Sequence, residues 1–350
     1  MHLIDQQLNL MIRGRFKEAW TIAEELEKID PTDRRAKFNR GWFLINQGKF
    51  QEGFKCLEYG RSLNVYGSGR LNTNKPIWDG ESDLLDKVLI INLEAGYGDN
   101  IIQSRFATEV WNRGGKAILC CDKSLHSLFS RIPGVSSCIT MGQVESTYHD
   151  FWIPGFSASW IFGHTVETIP NEPYIFAKTE SVEMWKSIIK TKKYKVGIRW
   201  SGNPQFEHQQ FRIFPPELLV NLYKKNDHIQ FYSLQRDTDL RELPEQIVDL
   251  NHILISWEDT AACIENLDLV ITSCTSIAHL ASAMGKPTWV IVPILPYHIW
   301  AYGDRHSPWY SEQTVVYRQT KFGQWSDTFE QVQNDLLDKF PKKISTENTQ

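Results

Sequence analysis

Small hydroxyl residues crowd one point of the chain. Thr272, Ser273, Thr275 and Ser276 surround Cys274 where an apolar run ending at Thr272 gives way to a helical pattern. Free backbone N–H groups and the positive end of a helix dipole favour an anion at such a point, and short hydroxyls add donors without blocking its approach. A bound phosphate is the functional reading, and an ordinary helix N-cap is the structural one. Other residues with chemistry follow strand-like runs. Gly96, Tyr97 and Gly98 lead into Asp99, where glycines permit a tight turn and the carboxylate can act as a general base or simply open a helix. Ser201, Gly202 and Asn203 form a backbone-rich turn, Arg212 offers a fork of donors suited to phosphate, and Gln235 ends a further apolar run. Tyr297 and Trp300 lie in an aromatic stretch able to stack on sugars or bases, or merely to pack.

The elements that must carry these residues alternate between short apolar runs and helical patterns. One series starts at Val88 and places helices over 100–113 and 124–131, with strands at 88–93, 117–121, near Cys138 and near Phe151. A second starts after a polar helix at about 180–191, with strands at 195–200 and 229–234 and helices at 216–225 and around 260–266, and residues 268–292 then read as a buried strand, a helix over 275–284 and another buried strand. Two such series imply an α/β protein with two doubly wound, Rossmann-like domains facing across a cleft, the ligand lying beyond the carboxyl ends of the strands. Ahead of them, Gly14-Arg15-Phe16 recurs as Gly48-Lys49-Phe50, and 48 − 14 = 34 is the tetratricopeptide period. The expected organisation is helical repeats over 1–66, a linker over 67–86, a first Rossmann-like domain over 87–180, a second over 181–325, a terminal crossover helix over 326–340 and a disordered tail over 341–350. The repeats read either as a cradle for a peptide or partner protein, or as a docking or dimerisation element.

Composition narrows the class. The 350 residues carry a net charge of −4, with 41% hydrophobic and 23% charged residues, so no basic excess points to nucleic acid. No apolar run is long enough to span a bilayer, and the opening residues lack the pattern of a secretory signal. The six cysteines show no Cys-x-x-Cys spacing and read as reduced core thiols in a cytoplasmic protein; no metal-ligand cluster is visible. A dinucleotide fingerprint is incomplete, because Ile101 occupies the place of the third glycine, although Asp122 mimics the ribose-binding acid of an NAD(P)-dependent oxidoreductase.

Taken together, Trp78-Asp79-Gly80, Gly96-x-Gly98-Asp99, Gly197-Ile198-x-Trp200-x-Gly202-Asn203, Ser233-Leu234-Gln235 and Thr275-x-x-x-His279-Leu280-Ala281-x-Ala283-x-Gly285-Lys286-Pro287-x-Trp289 occur in one order. This order resembles tetratricopeptide-repeat proteins carrying a glycosyltransferase family 9, heptosyltransferase-like domain of the GT-B type. The resemblance implies an inverting, metal-independent sugar transfer from an ADP- or UDP-linked donor to a hydroxyl of a protein or glycan. In it the second domain holds the diphosphate at Ser273, Cys274, Thr275 and Ser276, and Asp99 is the base. It also implies no separate cofactor. His279 fits the family's His-Leu-Ala step, or is a core histidine. Many members carry Asp-Thr where this chain has Cys274-Thr275, which removes a carboxylate acceptor for a sugar or ribose hydroxyl. An inactive nucleotide- or glycan-binding adaptor with the same fold is therefore the alternative, and the oxidoreductase the third reading. A homo-oligomer is compatible with either of the first two.

Overall fold

The computed structural model describes residues 2–67, 70–203, 209–215, 217–236 and 246–342. The chain opens with α1 (Leu3–Ile12), α2 (Phe16–Ile29), α3 (Arg34–Asn46) and α4 (Phe50–Leu57), then a 3₁₀ turn over Glu58–Leu63. Helix α2 forms because Ala19, Ile22, Ala23 and Leu26 fall on one buried face at helical spacing. Burying side chains such as Ile22 and Leu26 contributes about 1.5–3 kcal/mol each. The helix stops at Ile29, just before Pro31, and Asp33 starts α3 by accepting the N–H groups of Arg35 and Ala36. Gly14 and Gly48 occupy the turns between α1 and α2 and between α3 and α4.

The first α/β unit contains β1 (Val88–Asn92), α5 (Tyr97–Ser104), α6 (Phe106–Asn112), β2 (Lys116–Cys120), α7 (His126–Phe129), β3 (Val135–Ile139), β4 (Phe151–Pro154) and α8 (Ala158–Ile161). The second contains α9 (Thr179–Ile188), β5 (Tyr194–Arg199), α10 (Gln209–Arg212), α11 (Glu217–Lys225), β6 (Ile229–Ser233), β7 (Ile247–Asp249), α12 (Trp257–Glu265), β8 (Leu269–Ser273), α13 (Ser276–Ala283), β9 (Thr288–Val292), β10 (Thr314–Arg318) and α14 (Ser326–Lys339). Among the described residues the strands form two all-parallel sheets, ordered β3-β2-β1-β4 and β10-β9-β8-β5-β6-β7. Strands β8 and β9 are buried along their whole length, as parallel strands covered on both faces require. The order reverses at β1 and at β5, so the crevice lies beyond the carboxyl ends of β1, β5 and β8.

Several elements depart from the sequence reading. The helix expected over 100–113 starts at Tyr97 and is interrupted at Arg105. There Ser104 Oγ and Arg105 Nε donate to the carbonyls of Ile101 and Ile102, and Tyr174 Oη donates to Ile101 as well, taking acceptors that the backbone ladder would use. Strands β7 and β10 went unread because each is a short edge strand with little apolar alternation. Among the described residues the terminal helix α14 packs on the second sheet, where Phe329, Val332 and Leu336 lie with Phe214, Trp289 and Tyr317, rather than crossing to the first unit. It is the N-terminal helices that span both units, for one core joins Phe38, Phe50 and Phe54 to Leu89 and Ile91 of the first sheet and to Val270 and Val290 of the second. Of the sequence readings, residues 68 and 69 of the expected linker, residue 216 at the start of the expected 216–225 helix and the tail from residue 343 lie outside the described residues.

Candidate functional site

Asp99 sits in the first turn of α5 rather than at its cap. Gly96 is the N-cap, and the carboxylate reaches back so that Oδ2 accepts the Gly96 N–H at 3.1 Å. Its other oxygen, Oδ1, accepts from Tyr297 Oη at 2.6 Å, across 198 residues of sequence. Burial pushes the Asp99 carboxyl above its ordinary range, against the opposing pull of Tyr297, of backbone N–H groups and of the Arg212 charge. A narrow cavity opens beside it between Gln103, Phe106, Phe156 and Trp309.

The hydroxyl cluster lies directly opposite. Thr275 is the N-cap of α13, yet no side chain caps this helix, so the plain capping role that the residue types first suggest is not what they perform. Thr272 Oγ1 donates to the Ser273 carbonyl at 2.8 Å instead. Ser273 Oγ is fully buried without a hydrogen-bond partner, and so is Gln235 Nε2 at the end of β6. Buried polar atoms in that condition are rare, and both lie on the carboxyl side of the second sheet where a ligand belongs. Gln235 also accepts the Ser201 N–H at 3.2 Å and donates its own N–H to Ser233 Oγ at 3.2 Å, which ties the β5 and β6 loops together.

Two glycines let these loops approach. A Cβ on Gly98 would meet His279 Cδ2 at 3.1 Å and Ser276 Cα at 3.4 Å, so the start of α5 lies against the start of α13 and their two N-termini share one region. A Cβ on Gly202 would meet Arg212 Nη2 at 2.6 Å and Thr275 Cγ2 at 3.0 Å. Arg212 is thereby held over the same spot, with Nη1 donating to the Cys274 carbonyl at 3.3 Å. Burial lowers the Arg212 pKa from its ordinary value, while Cys274 and Asp99 pull it up. Cys274 itself is buried, and burial raises its thiol, so this position presents a neutral group.

The structure thus brings Asp99, Gly96, Gly98, Tyr297, Arg212, Gly202, Cys274, Thr275 and Ser276 together, with Ser201, Ser273 and Gln235 behind them. Asn203 is exposed, and Tyr97 turns outward, 45% exposed, to pack on Trp257 at 5.1 Å. His279 and Trp300 do not face the crevice. Trp300 is fully buried and stacks on His279 at 5.1 Å and on Tyr310 at 5.4 Å, so its ring is packing and not a sugar platform. His279 Nδ1 is 2.9 Å from Tyr310 Oη, and burial lowers its pKa to about 3, which keeps it neutral. Asp122 caps the 3₁₀ turn after β2 by accepting the Ser124 N–H.

Residue types alone missed four contributors. Glu94, buried at the end of β1, accepts both arms of the Arg61 fork at 2.7 and 2.9 Å and the Phe156 N–H at 3.0 Å. Arg61 also bonds Glu58 at 2.8 Å and Ser157 Oγ at 2.9 Å. Burial opposes its charge, but Glu94 and Glu58 outweigh that and hold its pKa above the ordinary value. Arg105, 1% exposed, links the two units through the carbonyls of Pro170 and Trp309 at 2.7 and 2.6 Å. Tyr174 lies 3.2 Å from it. No motif spacing signals these pairings. Among the described residues no group of three or more His, Cys, Asp or Glu could hold a metal ion, and no helix is long and apolar enough to cross a membrane.

No family model matches the chain. Protein FlbA of Caulobacter vibrioides is 24% identical over 344 residues, covering 86% of this chain and 55% of that protein, so the chain spans about half the length of this relative. The fold is similar to the ADP-heptose LPS heptosyltransferase II of E. coli, with TM-score 0.53 and 12% identity over 72% of this chain and 99% of that one. It is equally similar to a family 9 glycosyl transferase of Veillonella parvula, with TM-score 0.53 and 11% identity over 77% and 94% of the two chains. The E. coli heptosyltransferase WaaC with ADP follows at TM-score 0.51 and 11% identity, covering 72% and 99%. The likeness is one of fold: the two sheets and their facing loops belong to the heptosyltransferase-like architecture.

Proposed function

We propose that this chain is a glycosyltransferase that moves a sugar from a nucleotide-diphosphate donor to a hydroxyl of a protein or glycan, inverting the anomeric centre without a metal. The observation that carries the reading is the convergence of one half-buried carboxylate, Asp99, with the Arg212 guanidinium and the uncapped start of α13 in a single crevice. In this role Asp99 takes the proton of the acceptor hydroxyl as its oxygen attacks the anomeric carbon from the face opposite the leaving group. Arg212, Thr275 and the N–H groups that open α13 stabilise the charge developing on the departing diphosphate. A single base suits a single displacement; Glu94, a buried carboxylate nearby, is tied to Arg61. The unpartnered Gln235 Nε2 is a donor for the nucleotide, and the unpartnered Ser273 Oγ a donor or acceptor. An ADP-linked sugar is the first donor to test, given that the similar folds include an ADP-heptose enzyme and one with ADP. We read α1 to α4 as tetratricopeptide-type hairpins.

The test is donor turnover, as acceptor transfer or hydrolysis of ADP-heptose, in wild type and Asp99→Asn. Loss of about 10²–10⁴-fold in kcat with ADP still bound is expected for a general base. Full activity in the variant would remove Asp99 from the mechanism. One observation favours a non-catalytic adaptor: the buried neutral Cys274 supplies no carboxylate for a sugar or ribose hydroxyl. ADP binding by wild type with no turnover of any donor would select that reading.

A further inference from the structure

The hydroxyl that grips Asp99 comes from a segment with little structure of its own. Tyr297 lies in the stretch 293–303 after β9, whose one regular feature among the described residues is the 3₁₀ turn His298–Trp300. What fixes this stretch is the N-terminal helical unit. Phe38, Trp42 and Asn46 follow one another at four-residue spacing along α3, and so form a single ridge. Trp42 packs on Tyr297 at 6.1 Å and edge-on to His298 at 5.8 Å. Asn46 Nδ2 donates to the Ala301 carbonyl at 2.7 Å. The turns at Gly14 and Gly48 abut Ile294 and Tyr302, each so close that a Cβ would stand 2.6 and 2.8 Å from them. This face of the helices is therefore filled by the chain's own loop rather than offered to a partner.

We propose that Trp42 is a positioning residue for the Asp99 carboxylate, acting through Tyr297, so that the helical unit is a working part of the active centre. The catalytic consequence rests on Asp99 being the base, whereas the positioning itself does not. A second arm from the same unit supports it: Arg61 anchors Glu94, five residues before Asp99. Phe38 of the ridge packs on Tyr66 at 6.2 Å, and Tyr66 donates to the Phe156 carbonyl at 3.2 Å. The ionisable groups around Asp99 are Tyr297 from the loop, Arg212 from α10 and Tyr66 from the helical unit, with Glu94 acting on Tyr297 and neutral His279 behind Gly98. Tyr297 lowers the Asp99 pKa by donating to it, so weakening that bond shifts the titration upward.

The experiment follows the carboxyl carbon of Asp99 by NMR in the full chain carrying ¹³C-labelled aspartate, with Asp99→Asn identifying the signal. Tyr297→Phe should raise the titration midpoint by about one to two pH units, the worth of a hydrogen bond to a charged group. Trp42→Ala should shift it in the same direction, Trp42→Phe much less, and Trp42→Ala with Tyr297→Phe no further than Tyr297→Phe alone. Should Trp42→Ala fail to fold, Asn46→Ala, which releases the same loop at Ala301, takes its place. A midpoint unmoved by Tyr297→Phe or by the loop-releasing variant, or additive shifts in the double variant, would overturn the proposal. Activity retained in Asp99→Asn would instead refute the base while leaving the NMR result standing.

Discussion

Replacing Arg61 by methionine tests how the root of the Asp99 loop is held. Arg61 gives both arms of its fork to Glu94 and further bonds to Glu58 and Ser157, while the Glu94 side chain has no exposure to solvent. Methionine fills much of the volume but leaves the Glu94 charge buried without its partner, a lesion costing about 3–5 kcal/mol. At roughly 2–4 °C per kcal/mol for domains somewhat smaller than this chain, the melting temperature should fall by about 6–20 °C. Urea unfolding followed by the emission of the 13 tryptophans measures the loss directly. The double variant Arg61→Met with Glu94→Gln removes the stranded charge, and its amide oxygen can still accept the Phe156 N–H, so most of the loss should return. Arg61→Lys, which keeps the charge but not the fork, should fall between. A single variant within about 1 kcal/mol of wild type, or a double variant as unstable as the single, would refute the reasoning, since surface ion pairs behave that way.

Gly202→Ala places a Cβ 2.6 Å from Arg212 Nη2; displacing that guanidinium should weaken ADP binding about 10-fold or more in calorimetry, with little change in melting temperature. Trp300→Ala should do the reverse, costing about 3–5 kcal/mol of stability through the cavity it leaves, while variants that still fold keep their ADP affinity. Acid should destabilise the protein through its buried histidines. Burial lowers His279 and His298 to about 3 and His164 to about 4, against 6.5 for the unfolded chain. Their contribution is therefore complete above pH 6.5 and is lost as pH falls from there toward 3 to 4, which urea midpoints between pH 7 and 4 will show. His279→Gln, with one fewer proton taken up on unfolding, should flatten that slope.

Strand positions were legible because parallel strands buried on both faces leave runs such as Val270-Ile271 and Val290-Ile291-Val292, and the loops after them could be read from glycine and hydroxyl content. The loop residues of the crevice followed from topology, since they end the strands where the order reverses. What escaped depends on contacts far apart in sequence. Arg61 with Glu94, Tyr297 with Asp99 and Asn46 with Ala301 are separated by 33, 198 and 255 residues, and none carries a local period. The aromatic stretch after β9 misled for a related reason: residue type does not say which rings face inward, so Trp300 is packed under His279 while its neighbour Tyr297 reaches Asp99. The start of α5 was misread by three residues because Asp99 caps from the N3 position, where its carboxylate reaches back to Gly96.

The continuity of the core across all three parts bears on how such a chain can change. Helical repeats elsewhere behave as interchangeable modules, each contacting mainly its neighbours. Here Phe50 and Phe54 lie against Trp309, and Phe54 also against His298, so the face of the N-terminal helices and the loop it covers are one surface that can vary only in concert. A foreign set of helices spliced on at the linker would bring neither the Trp42 ridge nor the Arg61 fork. Excising the native set would strip the loop that carries Tyr297 and leave those aromatic rings facing water. The helices are thus inherited with the crevice they brace, and transplanting the two α/β units to another protein requires moving residues 2–66 with them.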